Sequence, residues 1–563
     1  MTQATRGAHQ ITLRLPILRR FCYIFSAMGA KYRLTTLGCK VNQYETEQVR
    51  ELLESFGMTQ AAKGEDADLA IVNTCAVTCS ATARSRQALR RSSKKGATPT
   101  IAIGCYASAE PDAIRKIDGV THVLGHETET LSAIRQAVVD RFGESQAASI
   151  DRGRVSQPPE VDDDFEPFAE PLVPVGLRLK SRIEQAPPGS TETRRTQPET
   201  QSQAETQCPT NNYSIVRALP IVNSEADFSG PISRLPVAAA SEPMPDFLPV
   251  REFSTRTRAF LKIQDGCDAS CTYCIIPKLR SRLNWKPIDV AVREAEGLVA
   301  AGHREIVLTG IFLGAYGRET AIRKRFVPGP SPLAGLVDAL AKVDGLARLR
   351  LSSLEPGDLD DELLGVIARH SNCVPHFHLP LQHASDAILR RMNRQYTSDA
   401  FVDMIDRVNK ALDRPAISTD IIVGFPGETD AMFEETMAMA GYAKFCKIHA
   451  FPFSPRPGTA AARWPKDFVH QGTVKERMNA LGELEQQLAH DYTRQFEGET
   501  LRVIVENAKS PEGKSNSKET QVATGRCDRY FEVHFEAKKS KPGDVVQVRI
   551  DRVSSRRVHG SIA

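Results

Sequence analysis

The chain has 563 residues, 41% of them hydrophobic and 25% charged, with a net charge of +4. That length predicts about two to four soluble globular domains rather than one, and the absence of any sufficiently long apolar run excludes a helical membrane span. Twelve cysteines in so long a chain, with no convincing secretory segment, argue against a disulfide framework and for a cytoplasmic protein whose cysteines bind metal or react.

Residues 1–30 read as an appendage: Leu13 to Ala27 is interrupted by Arg14, Arg19 and Arg20, and Met28 is a plausible alternative start. From Lys31 strands and helices alternate. Tyr32–Leu37, Leu69–Asn73 and Thr100–Ile103 are predicted strands. Val49, Leu52, Leu53 and Phe56 give a helical face that Gly57 ends. This predicts an open parallel α/β domain over 31–142. Each of the three strands runs into a loop cysteine: Cys39, Cys75 and Cys105. In an open parallel sheet the carboxyl ends share one edge, so three cysteines far apart in sequence are predicted to converge. Three separate buried cysteines would also fit, since free cysteine is often buried. Residues 143–250 are rich in Pro, Gln, Glu, Ser and Thr and read as a disordered insertion or linker.

Over 251–496 six further strands are predicted: Phe260–Gln264, Glu305–Thr309, Arg348–Ser352, His376–Leu381, Ser418–Val423 and Lys447–Phe453. Helices such as Asp289–Ala301 and Asp399–Leu412 lie between them. Parallel strands with helical crossovers make either an open barrel or a doubly wound sheet. The first strand is followed by Cys267, Cys271 and Cys274, spaced C-x3-C-x2-C. Three such thiolates can hold an iron–sulfur cluster with one iron open for chemistry. A zinc site, or a four-cysteine cluster completed by Cys373 or Cys446, would use the same residues. Over 497–563 short alternating strands, with turns at Pro511-Glu512-Gly513 and Pro542-Gly543-Asp544, predict a small β-barrel. From Leu501 onward 13 Lys/Arg face 8 Asp/Glu, a surplus of 5 that suits an RNA partner or merely a solvated surface.

The C-x3-C-x2-C run with Tyr273 resembles the radical S-adenosylmethionine signature. Thr36-Leu37-Gly38-Cys39-Lys40-Val41-Asn42-Gln43-Tyr44-Glu45, Asn73-Thr74-Cys75-Ala76-Val77-Thr78 and Gly104-Cys105-Tyr106-Ala107 resemble the N-terminal motifs of methylthiotransferases. Among these they are most similar to the bacterial subgroup acting on threonylcarbamoyladenosine in tRNA. The basic tail is similar to the TRAM module, an RNA-binding β-barrel. The resemblance spans about 31–140 and 253–563. It implies a partial (β/α)6 barrel at the centre and two [4Fe–4S] clusters, one on Cys39, Cys75 and Cys105, the other on Cys267, Cys271 and Cys274. The second would chelate S-adenosylmethionine and, on reduction, release a 5′-deoxyadenosyl radical; methylthio transfer to carbon 2 of the adenine follows. Partners implied are the tRNA anticodon loop, a reductant such as flavodoxin or ferredoxin, and a sulfur donor the sequence does not identify.

Candidate cofactor contacts are Tyr273, Thr309 and Gly310, Ser352 and Glu355, and Ile422, Val423 and Gly424 at the Gly424-Phe425-Pro426-Gly427-Glu428 turn. Each has a plain structural alternative as core or turn residue. Arg526, Arg529 and Tyr530 are candidates for RNA contact, as cations for phosphate and a ring for stacking. His376, His378 and His383 read as core, lining or surface residues. Cys79 reads as packing in a first helical turn. Rival readings are a methylthiotransferase for isopentenyladenosine or for a ribosomal-protein aspartate, and an iron–sulfur RNA-binding or electron-transfer protein without turnover.

Overall fold

The computed structural model describes residues 29–94, 97–126, 129–142, 249–253, 256–509, 522–536, 540–554 and 557–563. The expectations for residues 1–28, for residues 143–248 and for the Pro511-Glu512-Gly513 turn lie outside them. No helix among the described residues is long and apolar enough to cross a membrane.

The N-terminal part is built on β1 (Lys31–Thr36), β2 (Thr59–Gln60), β3 (Leu69–Thr74), β4 (Thr100–Gly104) and β5 (Val120–Leu124), all parallel, in the order β2-β1-β3-β4-β5. All six residues of β3 are buried, as expected of a central parallel strand covered on both faces. Helix α1 (Lys40–Ser55) follows β1 and buries Val41, Tyr44, Val49 and Leu53. Gly57, at φ +77°, closes its end, a conformation glycine adopts without strain.

The central part contains β6 (Arg258–Lys262), a small antiparallel pair β7 (Gln264–Asp265) and β8 (Asn284–Trp285), then β9 (Glu305–Thr309), β10 (Arg348–Leu351), β11 (His376–His378), β12 (Ala416–Val423) and β13 (Lys447–Pro452). Parallel pairing joins β6 to β9 to β10 and β11 to β12 to β13. Bridges at Leu349–Cys373 and Ser353–His378 connect the two halves. The six strands therefore stand in chain order, with no reversal. A doubly wound sheet reverses its order at a switch point, so the barrel alternative is the correct one. The expected strand Phe260–Gln264 is corrected: the ladder stops at Lys262, and Gln264 turns away to pair with Trp285.

The C-terminal part is a closed barrel of β14 (Thr500–Lys509), β15 (Val522–Cys527), β16 (Glu532–Glu536), β17 (Val545–Val553) and β18 (Val558–Ile562), in the order β14-β15-β16-β18-β17. Alternate residues, among them Val503, Val505, Val533, Phe535, Val548 and Ile550, fill it. Gly543 at φ +95° makes the expected turn before β17.

Buried charge locks the N-terminal sheet domain to the central barrel. Glu45 on α1 meets Lys262 at 3.2 Å and Arg280 at 2.8 Å, and Asp265 meets the same two cations at 2.6 and 2.8 Å. Next to Glu45, Tyr44 donates to Glu294 at 2.8 Å, and Glu294 is paired with Lys286. Burial would raise the Glu45 carboxyl, but Arg280 and then Lys262 hold it down at about 2, against an ordinary 4.5. Its contribution to stability is thus present above about pH 4.5 and is lost as pH falls through about 2. Glu45→Gln is expected to cost about 3–5 kcal/mol near neutrality, because it leaves buried cations short of a partner. In denaturant unfolding the gap between variant and wild type should shrink on acidification from about pH 5 to about pH 2. A gap independent of pH would show that Glu45 stabilises by packing alone.

Candidate active site: two cysteine triads

Register places the first triad. Thr36 pairs with Asn73 and Thr74 with Gly104, so Cys39, Cys75 and Cys105 all leave the carboxyl edge of the sheet. Buried Asn42 ties the edge together: its amide donates to Leu37 O at 2.8 Å and Thr74 O at 3.1 Å, and Asn73 donates to Asn42 O at 2.9 Å. Gly38, at φ +109°, lets the chain pass close over Cys75: a Cβ there would stand 3.1 Å from Cys75 Cβ and 3.3 Å from its Sγ. Cys75 and Cys105 are buried and Cys39 is exposed. Burial pushes the Cys75 thiol up to about 12, with Cys105 and Cys39 adding to the rise. At Cys105 burial dominates, opposed by the Arg280 guanidinium, and leaves it at about 11.

The second triad sits in the loop between β7 and helix α2 (Ile276–Leu279). Gly266, at φ +82°, is required where the loop begins, because a Cβ would lie 1.9 Å from Arg282 O. Cys267 N donates to Arg280 O at 2.9 Å, and Cys274 N to Cys271 O at 3.1 Å. Arg394 Nη1 lies 3.3 Å from Cys271 Sγ and 3.3 Å from the Tyr273 hydroxyl, and the same guanidinium is paired with Glu355. Burial raises all three thiols, Cys267 and Cys274 to about 12. The two loops adjoin: Cys105 shares an apolar cluster with Ile275, the neighbour of Cys274, and with Leu279.

No three His, Cys, Asp or Glu side chains among the described residues close on one point as a mononuclear metal site would. Three soft thiols per site suit an iron–sulfur cluster. A buried guanidinium beside each triad, Arg280 at one and Arg394 at the other, offsets the negative charge such a cluster brings. Neutral buried thiols must release protons on loading. Cys373 lies in the main core near Asp338, and Cys446 lies beside Cys527 against the C-terminal barrel. Neither is placed to complete the second triad. Cys79 opens the helix Cys79–Ser92 and remains exposed, its thiol 3.4 Å from Pro455 O.

The remaining candidates divide. Ile422 shares an apolar cluster with Tyr273 and Phe425, whereas Val423 points the other way into the main core. Thr309, whose carbonyl accepts from Ile263 N at 2.9 Å, and Ser352, whose N–H donates to Leu308 O at 3.0 Å, end their strands buried. Gly310 packs on Gln264, where a Cβ would come within 3.0 Å of its Oε1. Glu355 lies beside the second triad, paired with Arg394 and, at 3.3 Å, with Arg323. Gly424, at φ +76°, donates its N–H to Glu428, which also accepts from Phe425 N at 2.9 Å. His383 is buried and its ring accepts from Ser385 N at 2.9 Å, so it is not a surface residue.

Arg526, Arg529 and Tyr530 all make contacts within the protein. Arg529 donates to Arg414 O at 2.9 Å and, with Asp413, docks the C-terminal barrel on the central one. Tyr530, at φ +73°, stacks on His376 at 3.8 Å, and the Arg350 and Arg526 guanidiniums lie 5.3 and 5.0 Å from its ring centre. Arg526 pairs with Glu506 at 3.5 Å and donates to Tyr530 O at 2.8 Å. All three are held at the junction. Sequence reading missed Arg394, Arg280 and Lys262. Only Lys262 left a signal, as a charge inside the apolar run Phe260-Leu261-Lys262-Ile263.

Residues 31–125 match a family described as Uncharacterized protein family UPF0004, and residues 261–440 match the Radical SAM superfamily. The chain is 32% identical over 517 residues to the threonylcarbamoyladenosine tRNA methylthiotransferase MtaB of Bacillus subtilis, covering 92% of each chain. It is 30% identical over 485 residues to the protein of that name from Thermotoga maritima, covering 84% of this chain and 86% of that one. It is also 31% identical over 531 residues to the tRNA-2-methylthio-N(6)-dimethylallyladenosine synthase of Acidothermus cellulolyticus, covering 93% of this chain and 86% of that one. With likeness at this level along nearly its whole length, and with both triads in place, the chain belongs to the radical S-adenosylmethionine tRNA methylthiotransferase family.

Proposed function

We propose that this protein attaches a methylthio group to carbon 2 of threonylcarbamoyladenosine beside the anticodon of tRNA. In this reading Cys39, Cys75 and Cys105 hold one [4Fe–4S] cluster, and Cys267, Cys271 and Cys274 hold the other. Bound there, the clusters and S-adenosylmethionine supply radical activation of an unreactive aromatic C–H and delivery of methylated sulfur. The chain's own work is to hold the two sites face to face around one base and to exclude water. Tyr273, Gly310, Ser352, Glu355 and Ile422 line the S-adenosylmethionine side, with Arg394 positioning Cys271 and Glu355. Residues 31–142 carry the sulfur site, 251–496 the radical site and 497–563 the RNA-binding barrel, whose surplus of 5 positive charges from Leu501 onward favours the tRNA backbone. A flavodoxin or ferredoxin in the cytoplasm supplies electrons.

The packing of Cys105 against Ile275, the neighbour of Cys274, carries this reading, since a single-cluster enzyme has no use for a second triad there. A dimethylallyladenosine substrate is the second reading, favoured by the likeness to the Acidothermus cellulolyticus synthase. Nucleosides from a deletion strain separate the two by mass: 2-methylthio-threonylcarbamoyladenosine should disappear. Loss of the methylthio-dimethylallyl nucleoside instead would transfer the assignment to the second reading.

A further inference from the structure

The lumen of the central barrel is strongly polar one layer below the cofactor positions. Along β12 Asp420 and Ile422 are partly exposed while Ile421 and Val423 are buried, so the inward face borders accessible space. Residues two apart on a strand share a face and stand about 7 Å apart. Arg350 thus lies one layer below Ser352, and Asp420 one layer below Ile422. The inward-facing polar groups there are Arg350, Asp420, His378, which is paired with Asp420, and His449, whose ring centre lies 5.8 Å from that of His378, with His376 one layer deeper than His378.

Charge in this layer is unbalanced. Asp420 is matched by His378 at 3.2 Å. Deeper, Glu305 faces three guanidiniums, Arg350 at 2.9 Å, Arg348 at 3.5 Å and Arg258 at 3.8 Å. Arg258 also reaches Glu506 at 3.1 Å, and Arg348 donates to Arg526 O at 2.8 Å. Among the described residues Arg350 has no second hydrogen-bond acceptor, only the ring of Tyr530, 5.3 Å away. Arg350 is 2% exposed and bonded through Nε alone, and Nη1 and Nη2 are both buried without a hydrogen-bond partner among the described residues. A buried guanidinium with a free fork is costly unless a ligand completes it, and a planar fork matches a carboxylate.

We propose that Arg350 forms a carboxylate-binding site in the barrel lumen that receives the acidic end of the substrate's N6 substituent. The inference rests on the threonylcarbamoyl reading above and gives it a physical basis. A threonylcarbamoyl group ends in a carboxylate, which would satisfy both free nitrogens. A dimethylallyl group would leave them unsatisfied and lay hydrocarbon on a charged wall.

The test compares two anticodon stem-loop RNAs with the reconstituted full-length enzyme, one carrying threonylcarbamoyladenosine and one its methyl ester, which lacks the charge. The wild type is expected to favour the acid by about tenfold or more in kcat/KM. In Arg350→Gln that preference should fall towards one. Because the variant is its own control, a general loss of folding or cluster content does not change the ratio. Equal use of acid and ester by the wild type, or an unchanged preference in Arg350→Gln, would overturn the site. Equal use together with a reduced salt dependence in the variant would reassign Arg350 to RNA phosphate. A wild type that converts the dimethylallyl RNA but neither of these would overturn the substrate reading, and the site with it.

Discussion

Cys105→Ala should uncouple the reaction: 5′-deoxyadenosine continues to form from S-adenosylmethionine, while methylthio product falls by about a thousandfold or more, equivalent to about 4 kcal/mol of barrier. Cys105 is one of three cysteines at the sheet edge and takes no part in the C-x3-C-x2-C loop, whose geometry is set by Gly266 and by Cys267 N bonded to Arg280 O. Its removal therefore leaves the radical site standing. Arg280 links the two sites, because it acts on the Cys105 thiol and is paired with Glu45 and Asp265. Cys105→Ser, which keeps the size but replaces a soft donor with a hard one, should behave as Cys105→Ala does. Product retained by either variant would mean that the first triad does not deliver sulfur.

Cys271→Ala should behave differently, losing 5′-deoxyadenosine and product together. Cys271 contacts Arg394, which also holds Tyr273 and Glu355, so the change removes a ligand and loosens two neighbours of the cofactor side. A loss of at least about a thousandfold in both readouts is expected. The contrast between the two variants is the informative quantity. If Cys271→Ala still cleaved S-adenosylmethionine, the radical site would have to lie elsewhere.

Much of this site is legible in the sequence because its determinants are local or topological. Cys267, Cys271 and Cys274 lie within eight residues. Cys39, Cys75 and Cys105 lie far apart, but each follows a parallel strand, and the shared edge of such a sheet brings them together. The six central strands are recognisable from their apolar runs, with ends displaced by a few residues. Strand β5 is not recognisable because it is partly or fully exposed throughout, and Thr121 and His122 break its apolar run. Strand β2 is two residues long. The charged contacts were illegible for another reason: Glu45 meets Arg280 across 235 positions, and Arg394 meets Cys271 across 123. Nothing local marks either pair. The stacking of Tyr530 on His376 is a further contact that nothing local marks.

Counting iron and labile sulfide in anaerobically reconstituted protein tests the two-site account most directly. The wild type should hold about eight irons per chain, as two four-iron clusters require. Replacing Cys39, Cys75 and Cys105 together, or Cys267, Cys271 and Cys274 together, should each leave about four. About four irons in the wild type, with none lost when the first triad is replaced, would contradict the account.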